Sequence, residues 1–276
     1  MSKNAVIFYF SGTGNTWWVS EELARLLGER GMKVQPYSIE KLKPGEADRL
    51  IQDCDLAGFG YPIYGSDLPL IMKDFITELR KVDQKLAFVY CTQWLWSGDG
   101  ARVGATFLGP KGFKVGWGEH ILMPNNVTVN FLPFPYTNDR RKIDFVLVKA
   151  SRRLARFANQ IVADRYFRRG FNLASFLLGC FQRVPFRLTF NRFRDDVKVN
   201  SNLCVKCGSC ARLCPSGNLV CKDGEIITTG QCILCLRCYN FCPAQAVAYR
   251  NQVHKKTRGI PYRGPVENFN PKIMVE

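Results

Sequence analysis

Cys204-Val-Lys-Cys207-Gly-Ser-Cys210-Ala-Arg-Leu-Cys214-Pro215 is followed by Cys232-Ile-Leu-Cys235-Leu-Arg-Cys238-Tyr-Asn-Phe-Cys242-Pro243, the same spacing down to the proline. This pattern is an iron–sulfur signature. Three thiolates set two residues apart wrap one [4Fe–4S] cubane, and the fourth, one residue further on and followed by a chain-turning proline, points toward the other cluster. Cys204, Cys207, Cys210 and Cys242 are therefore assigned to one cluster, and Cys232, Cys235, Cys238 and Cys214 to the second. Structural zinc usually draws four ligands from two Cys-x2-Cys knuckles, and disulfides require an oxidising compartment. Neither explains two complete repeats.

The repeat resembles bacterial two-cluster ferredoxins over about the last quarter of the chain. Clusters substitute for a hydrophobic core, so such a unit needs only about fifty residues. The remainder of the 276 residues is long enough for a domain of its own. Twelve cysteines, eight of them assigned, fit a reducing interior. Cys54 and Cys91 lie in or beside apolar runs and read as buried small residues, while Cys180 and Cys221 have no assigned task. Lys plus Arg number 39 against 23 Asp plus Glu, a formal charge of +16. Two cubanes and one bound phosphate group, at about −2 each, would bring a loaded protein to roughly +10. Much of the excess is local, with fifteen Lys/Arg against four Asp/Glu in residues 140–200.

At the other end, the apolar run Ala5–Phe10 predicts a buried parallel strand and opens into Ser11-Gly12-Thr13-Gly14-Asn15-Thr16. Its position leaves no room for a signal peptide, so a cytoplasmic protein is expected. Val19, Leu23, Leu26 and Leu27 then share one helical face, with Glu21 and Arg25 expected to pair on the other. A Gly-rich strand-to-helix turn offers backbone N–H groups and the positive helix end to an anion. It lacks the P-loop lysine and does not fit the Rossmann glycine pattern. It resembles the phosphate loop of flavodoxins at every specified position, which implies FMN.

Two later loops agree. After a second predicted strand, Lys33–Ser38, a third, Leu56–Gly60, ends in Tyr61-Pro62-Ile63-Tyr64-Gly65, with Asp67 or Ser66 expected to cap the next helix. A fourth, Lys85–Cys91, runs into Thr92-Gln-Trp94-Leu-Trp96-Ser97-Gly98-Asp99. The expected architecture is α/β, a doubly wound parallel sheet of order 2-1-3-4-5, which gathers these loops at its switch point. Tyr61/Tyr64 and Trp94/Trp96 resemble the two flavodoxin loops that sandwich the isoalloxazine, and Ser97-Gly98-Asp99 resembles the Gly-Asp element of the second.

A fifth strand, Lys114–Met123, and a closing helix from about Asp139 to Arg165 complete a domain over 1–165. The insert Pro124–Tyr136 is long and Pro-rich for a βα connection; it reads either as a docking loop or as a solvent loop. Arg152, Arg153 and Arg156 lie opposite the helix's apolar stripe and are expected to face solvent. The connector 166–198 mixes Arg with Phe and Leu and is too short in its apolar core to span a bilayer. It reads as packing between domains or as a membrane-surface or partner-docking helix. A small α+β two-cluster domain over 199–252 and a loosely wrapped tail, 253–276, follow. His120 and His254 read as ordinary surface or core residues, and no Ser-His-Asp site or nucleic-acid motif is present.

The whole order resembles flavodoxin–ferredoxin fusion proteins of anaerobic bacteria and archaea. That resemblance implies FMN and two [4Fe–4S] clusters, with electrons passing between them, no catalytic acid or base, and an acidic electron-carrier protein or a small-molecule acceptor as partner. The alternatives are an FMN-dependent reductase and a redox sensor or scaffold.

Overall fold

A computed structural model describes residues 3–132 and 134–276; Met1, Ser2 and Pro133 of the predicted insert lie outside the described residues. Strands β1 (Asn4–Tyr9), β2 (Lys33–Ser38), β3 (Leu56–Pro62), β4 (Lys85–Gln93), β5 (Phe113–Leu122) and β6 (Phe167–Arg168) form a parallel sheet of order β2-β1-β3-β4-β5-β6. The predicted order is therefore present, extended by a two-residue strand taken from the connector. β6 pairs with Trp117–Gly118, and Tyr166 packs edge-on against Trp117, so the chain is held to the sheet edge before it leaves.

Alternation along the strands builds two apolar layers. Ala5 and Ile7, with Phe88 and Tyr90, face helices α1 (Asn15–Gly28) and α5 (Arg140–Val162). Val6, Phe8, Phe59 and Val89 face α2 (Glu46–Asp53), α3 (Leu70–Glu78) and α4 (Gly100–Leu108). In α1 the expected Glu21–Arg25 pair is not formed. Arg25 binds Glu22 at 2.8 Å and also Glu29, while Glu21 is hydrogen-bonded to Trp17. Pro69, not Asp67 or Ser66, stands at the N-cap of α3, because the Asp67 carboxylate is bound by Arg187.

The connector forms α6 (Leu173–Arg194), which leads to a small second unit. There β7 (Val197–Val199) pairs antiparallel with β10 (Val247–Tyr249), around the hairpin β8 (Leu219–Lys222)–β9 (Glu225–Thr228) and the short helices α7 (Ser209–Arg212) and α8 (Arg237–Phe241). The insert docks on this unit. Val129 is buried with Val197, Cys232 and Tyr239, and Thr128 is hydrogen-bonded to Asn240 at 2.8 Å. The tail is fastened rather than loose: Tyr262 and Met274 are fully buried, the Tyr262 hydroxyl donates to Asn15, and Ser38 donates to the Met274 carbonyl.

Candidate functional site

The two cysteine motifs lie side by side in the second unit. Burial, then the field of Cys242, then those of Cys204 and Cys207, push the Cys210 thiol up to about 11. Burial pushes Cys232 up to about 11, with Cys214 adding to it, and Cys235 up to about 12 against the pull of Arg237. Burial, then the fields of Cys235, Cys232 and Cys214, push the Cys238 thiol well above its ordinary value. Cys214, Cys232, Cys235 and Cys238 line one enclosed cavity with Val197, Leu219 and Tyr249. Cysteine thiols release their protons when they take iron.

The two repeats share a backbone track. Lys206 and Leu234 adopt left-handed conformations, φ +53° and +58°, and aim their N–H groups at Cys204 Sγ and Cys232 Sγ, both at 3.4 Å. Asn218 and Ala246 do the same for Cys214 and Cys242 at 3.2 and 3.3 Å. Peptide donors to sulfur stabilise thiolate charge and tune cluster potential. Such donors suit a 4Fe–4S cluster. Among the described residues no three His, Cys, Asp or Glu side chains converge on a single-ion site.

The phosphate loop and parts of both aromatic loops line one cavity of about 110 Å³. Its walls are Ser11–Thr13, Asn15 and Thr16, then Pro62–Tyr64, then Thr92–Trp94, with Leu234–Leu236 closing it from the second unit. Thr16 and Thr92 share a hydrogen bond of 2.8 Å, Asn126 donates to the Thr13 hydroxyl, and Gly14 N–H donates to Ser11 Oγ. The buried Tyr64 hydroxyl has no partner among the described residues, a position suited to a ligand oxygen. These donors fit a phosphate. The volume is below the roughly 300 Å³ usual for a small-molecule site, so seating a whole flavin requires the Leu234–Leu236 wall or Trp94 to give way.

Other predicted residues turn elsewhere. Tyr61 is a core residue whose hydroxyl donates to Gly100 O at 2.9 Å. Gly65 lies beneath Phe186 of α6. Asp99 is held by Arg183 of α6 through two contacts, at 2.8 and 3.2 Å, and a Cβ at Gly98 would run into the Gly179 backbone. Trp96, Ser97 and Gly98 line a different cavity, of about 500 Å³, between α5 and α6. α6 thus covers the outer side of both aromatic loops. His120 and His254 are buried and hydrogen-bonded, to Ser97 and to Tyr136 and Tyr239. Arg153 is a correction: it is half-buried and paired with Glu119 at 2.9 Å, because that buried carboxylate lies under α5.

Two residues that spacing did not single out join the units. Arg237, between Cys235 and Cys238, reaches Glu40, the Ser11 and Gly12 carbonyls and Leu213 O. A lone Arg inside a cysteine motif and a Glu after a strand carry no sequence signal of pairing.

Each half resembles known proteins. A family model described as a 4Fe-4S binding domain matches residues 197–220. A curated flavodoxin from Nitratidesulfovibrio vulgaris (strain DSM 19637 / Miyazaki F) is 38% identical over 73 residues, 26% of this chain and 47% of that protein, so the chain spans about half the length of the relative it matches. Among solved structures, oxidised flavodoxin 2 from Bacillus cereus superposes at TM-score 0.43 with 18% identity, covering 59% of this chain and 99% of that one. A short-chain flavodoxin associated with a non-canonical PDU bacterial microcompartment gives 0.42 with 15% identity, covering 60% and 99%. The chain joins a flavodoxin-like α/β domain to a second unit that a 4Fe–4S binding-domain model matches.

Proposed function

We propose that the chain carries electrons between FMN, held at the three-loop cavity, and two [4Fe–4S] clusters, coupling one-electron carriers to two-electron flavin chemistry. A single observation carries this reading: the wall that closes the phosphate-loop cavity is Leu234–Leu236, the backbone around a ligand of the second cluster. A Cβ built on Gly12 would lie 2.9 Å from the Cys235 carbonyl oxygen, so loop and ligand are in direct contact. Bound flavin exchanges one or two electrons, whereas each cluster passes one.

The residues of the chain supply position. Ser11–Thr16 hold the phosphate, and Arg237 presses the second ligand set against that loop. The field of Cys210 at Cys238 supports neighbouring clusters, and Cys207 of the first set is exposed. The order is then flavin, second cluster, first cluster, external carrier. α6 lies over the outer side of the aromatic loops, where a reductase would admit substrate, and this favours a carrier.

Anaerobic purification followed by assay should give about eight iron, eight sulfide and one FMN per chain. About four iron would remove the two-cluster reading. Eight iron without flavin would leave a cluster-only carrier. Faster reoxidation by small quinone-like acceptors than by a protein carrier would restore the reductase.

A further inference from the structure

α6 has a second surface. Leu173, Leu177, Phe181, Val184 and Leu188 are 71%, 59%, 76%, 53% and 81% exposed. Steps of four, four, three and four residues place all five in one stripe about 80° wide at 100° per residue. The opposite side holds Gly179 and Arg183, packed on the Ser97–Asp99 loop, so the stripe faces outward. A contiguous apolar patch of this kind on a folded surface marks a contact with something else.

The charge around it identifies what that is. No Asp or Glu occurs in Leu173–Arg194, and Arg192 and Arg194 lie in its last turn. Exposed Arg168 and Arg169 precede it. Along one flank, at Ser175 and Leu178, it opens on the 500 Å³ cavity lined by Lys149, Arg152, Arg153, Arg156 and Arg169. The acid beneath them, Glu119, is buried and already shared by Arg153 and Arg169. An apolar stripe within a cationic field complements an anionic lipid surface, where acyl chains receive the leucines and headgroup phosphates the guanidiniums. A second copy would bring a like-charged field face to face. An acidic protein would answer the charge but not the five apolar side chains. Among the described residues no helix is long and apolar enough to cross a membrane, so the helix would lie on the surface.

We propose that α6 docks the protein on an anionic phospholipid bilayer, with Leu177 and Phe181 at the acyl boundary and the arginines of α5 against lipid phosphates. Flotation of the cluster-loaded protein with vesicles of phosphatidylcholine alone, or mixed with phosphatidylglycerol, tests it. Binding is expected with the anionic vesicles and not with the neutral ones, weakening as salt rises. The exposed pair L177E/F181E should lower the partition coefficient more than tenfold, and R152Q/R156Q should lower it by about tenfold at low salt, with iron content unchanged in both. Three results would overturn the proposal. These are no flotation, equal flotation by L177E/F181E, or a dimer in light scattering that L177E/F181E dissociates. Capture of an acidic carrier protein through the stripe, without vesicle binding, would assign the surface to protein instead.

Discussion

Arg237 and Glu40 form a buried ion pair across the seam between the two units, with guanidinium nitrogens 2.6 and 2.8 Å from the two carboxylate oxygens. The Arg237 side chain is fully buried and also reaches three backbone carbonyls, from Ser11, Gly12 and Leu213. One guanidinium therefore links the phosphate loop, the segment after β2 and both cysteine motifs.

Removing one partner of such a pair leaves a buried charge without its counter-charge. Glu40→Ala is expected to cost about 3–5 kcal/mol, while Glu40→Leu with Arg237→Met recovers much of the loss. Anaerobic urea unfolding of the loaded protein measures both. A loss below about 1 kcal/mol in Glu40→Ala would mean that the seam is open in solution.

Cys214→Ser should remove the cluster held by Cys232, Cys235 and Cys238, and Cys242→Ser the one held by Cys204, Cys207 and Cys210. Each variant should fall from about eight iron to about four. EPR of the reduced variants separates the two signals. Loss of the first-set signal in Cys214→Ser would show that each motif keeps its own four ligands.

The strands and their order were legible because each depends on local spacing: Lys33–Ser38 matches β2 residue for residue. The seam was not legible. Arg237–Glu40 and Arg183–Asp99 join residues 197 and 84 positions apart, and nothing in either neighbourhood indicates the partner. The tail misled for a related reason. Its polar composition hides Tyr262 and Met274, whose burial depends on grooves made by α1 and the end of β2. The aromatic loops were legible only in part, because α6 covers their outer side and claims Asp99.

Gly12 sits where no side chain fits. A Cβ there would lie 2.6 Å from the Tyr64 hydroxyl and 2.9 Å from the Cys235 carbonyl oxygen. Gly12→Val should release FMN and also loosen the second unit, at a cost of roughly 1–3 kcal/mol from overpacking. Flavin content and proteolysis of the 195–200 segment report the two effects separately. Full flavin retention with unchanged proteolysis would show that the loop and Cys235 are apart in solution.

His120 gives the pH dependence. Ala101 N–H donates to its Nε2 at 3.2 Å, so the proton lies on Nδ1, which donates to Ser97 Oγ at 3.1 Å. Burial, then the charges of Arg169 and Arg153, lower its pKa from 6.5 to about 4. The folded state thus refuses a proton that the unfolded chain accepts below its ordinary value. Its contribution is fully present above about pH 6.5 and declines as pH falls toward about 4, by about 2 kcal/mol at pH 5. Carboxylates titrate in the lower part of this range, so the observable is the difference from His120→Gln, which keeps a neutral polar group and removes the titration. Unfolding free energies of both proteins from pH 7.5 to 5 should converge as the pH falls, with wild type losing more. Parallel curves would mean that the imidazole is protonated in the folded protein, with Ala101 N–H displaced from Nε2.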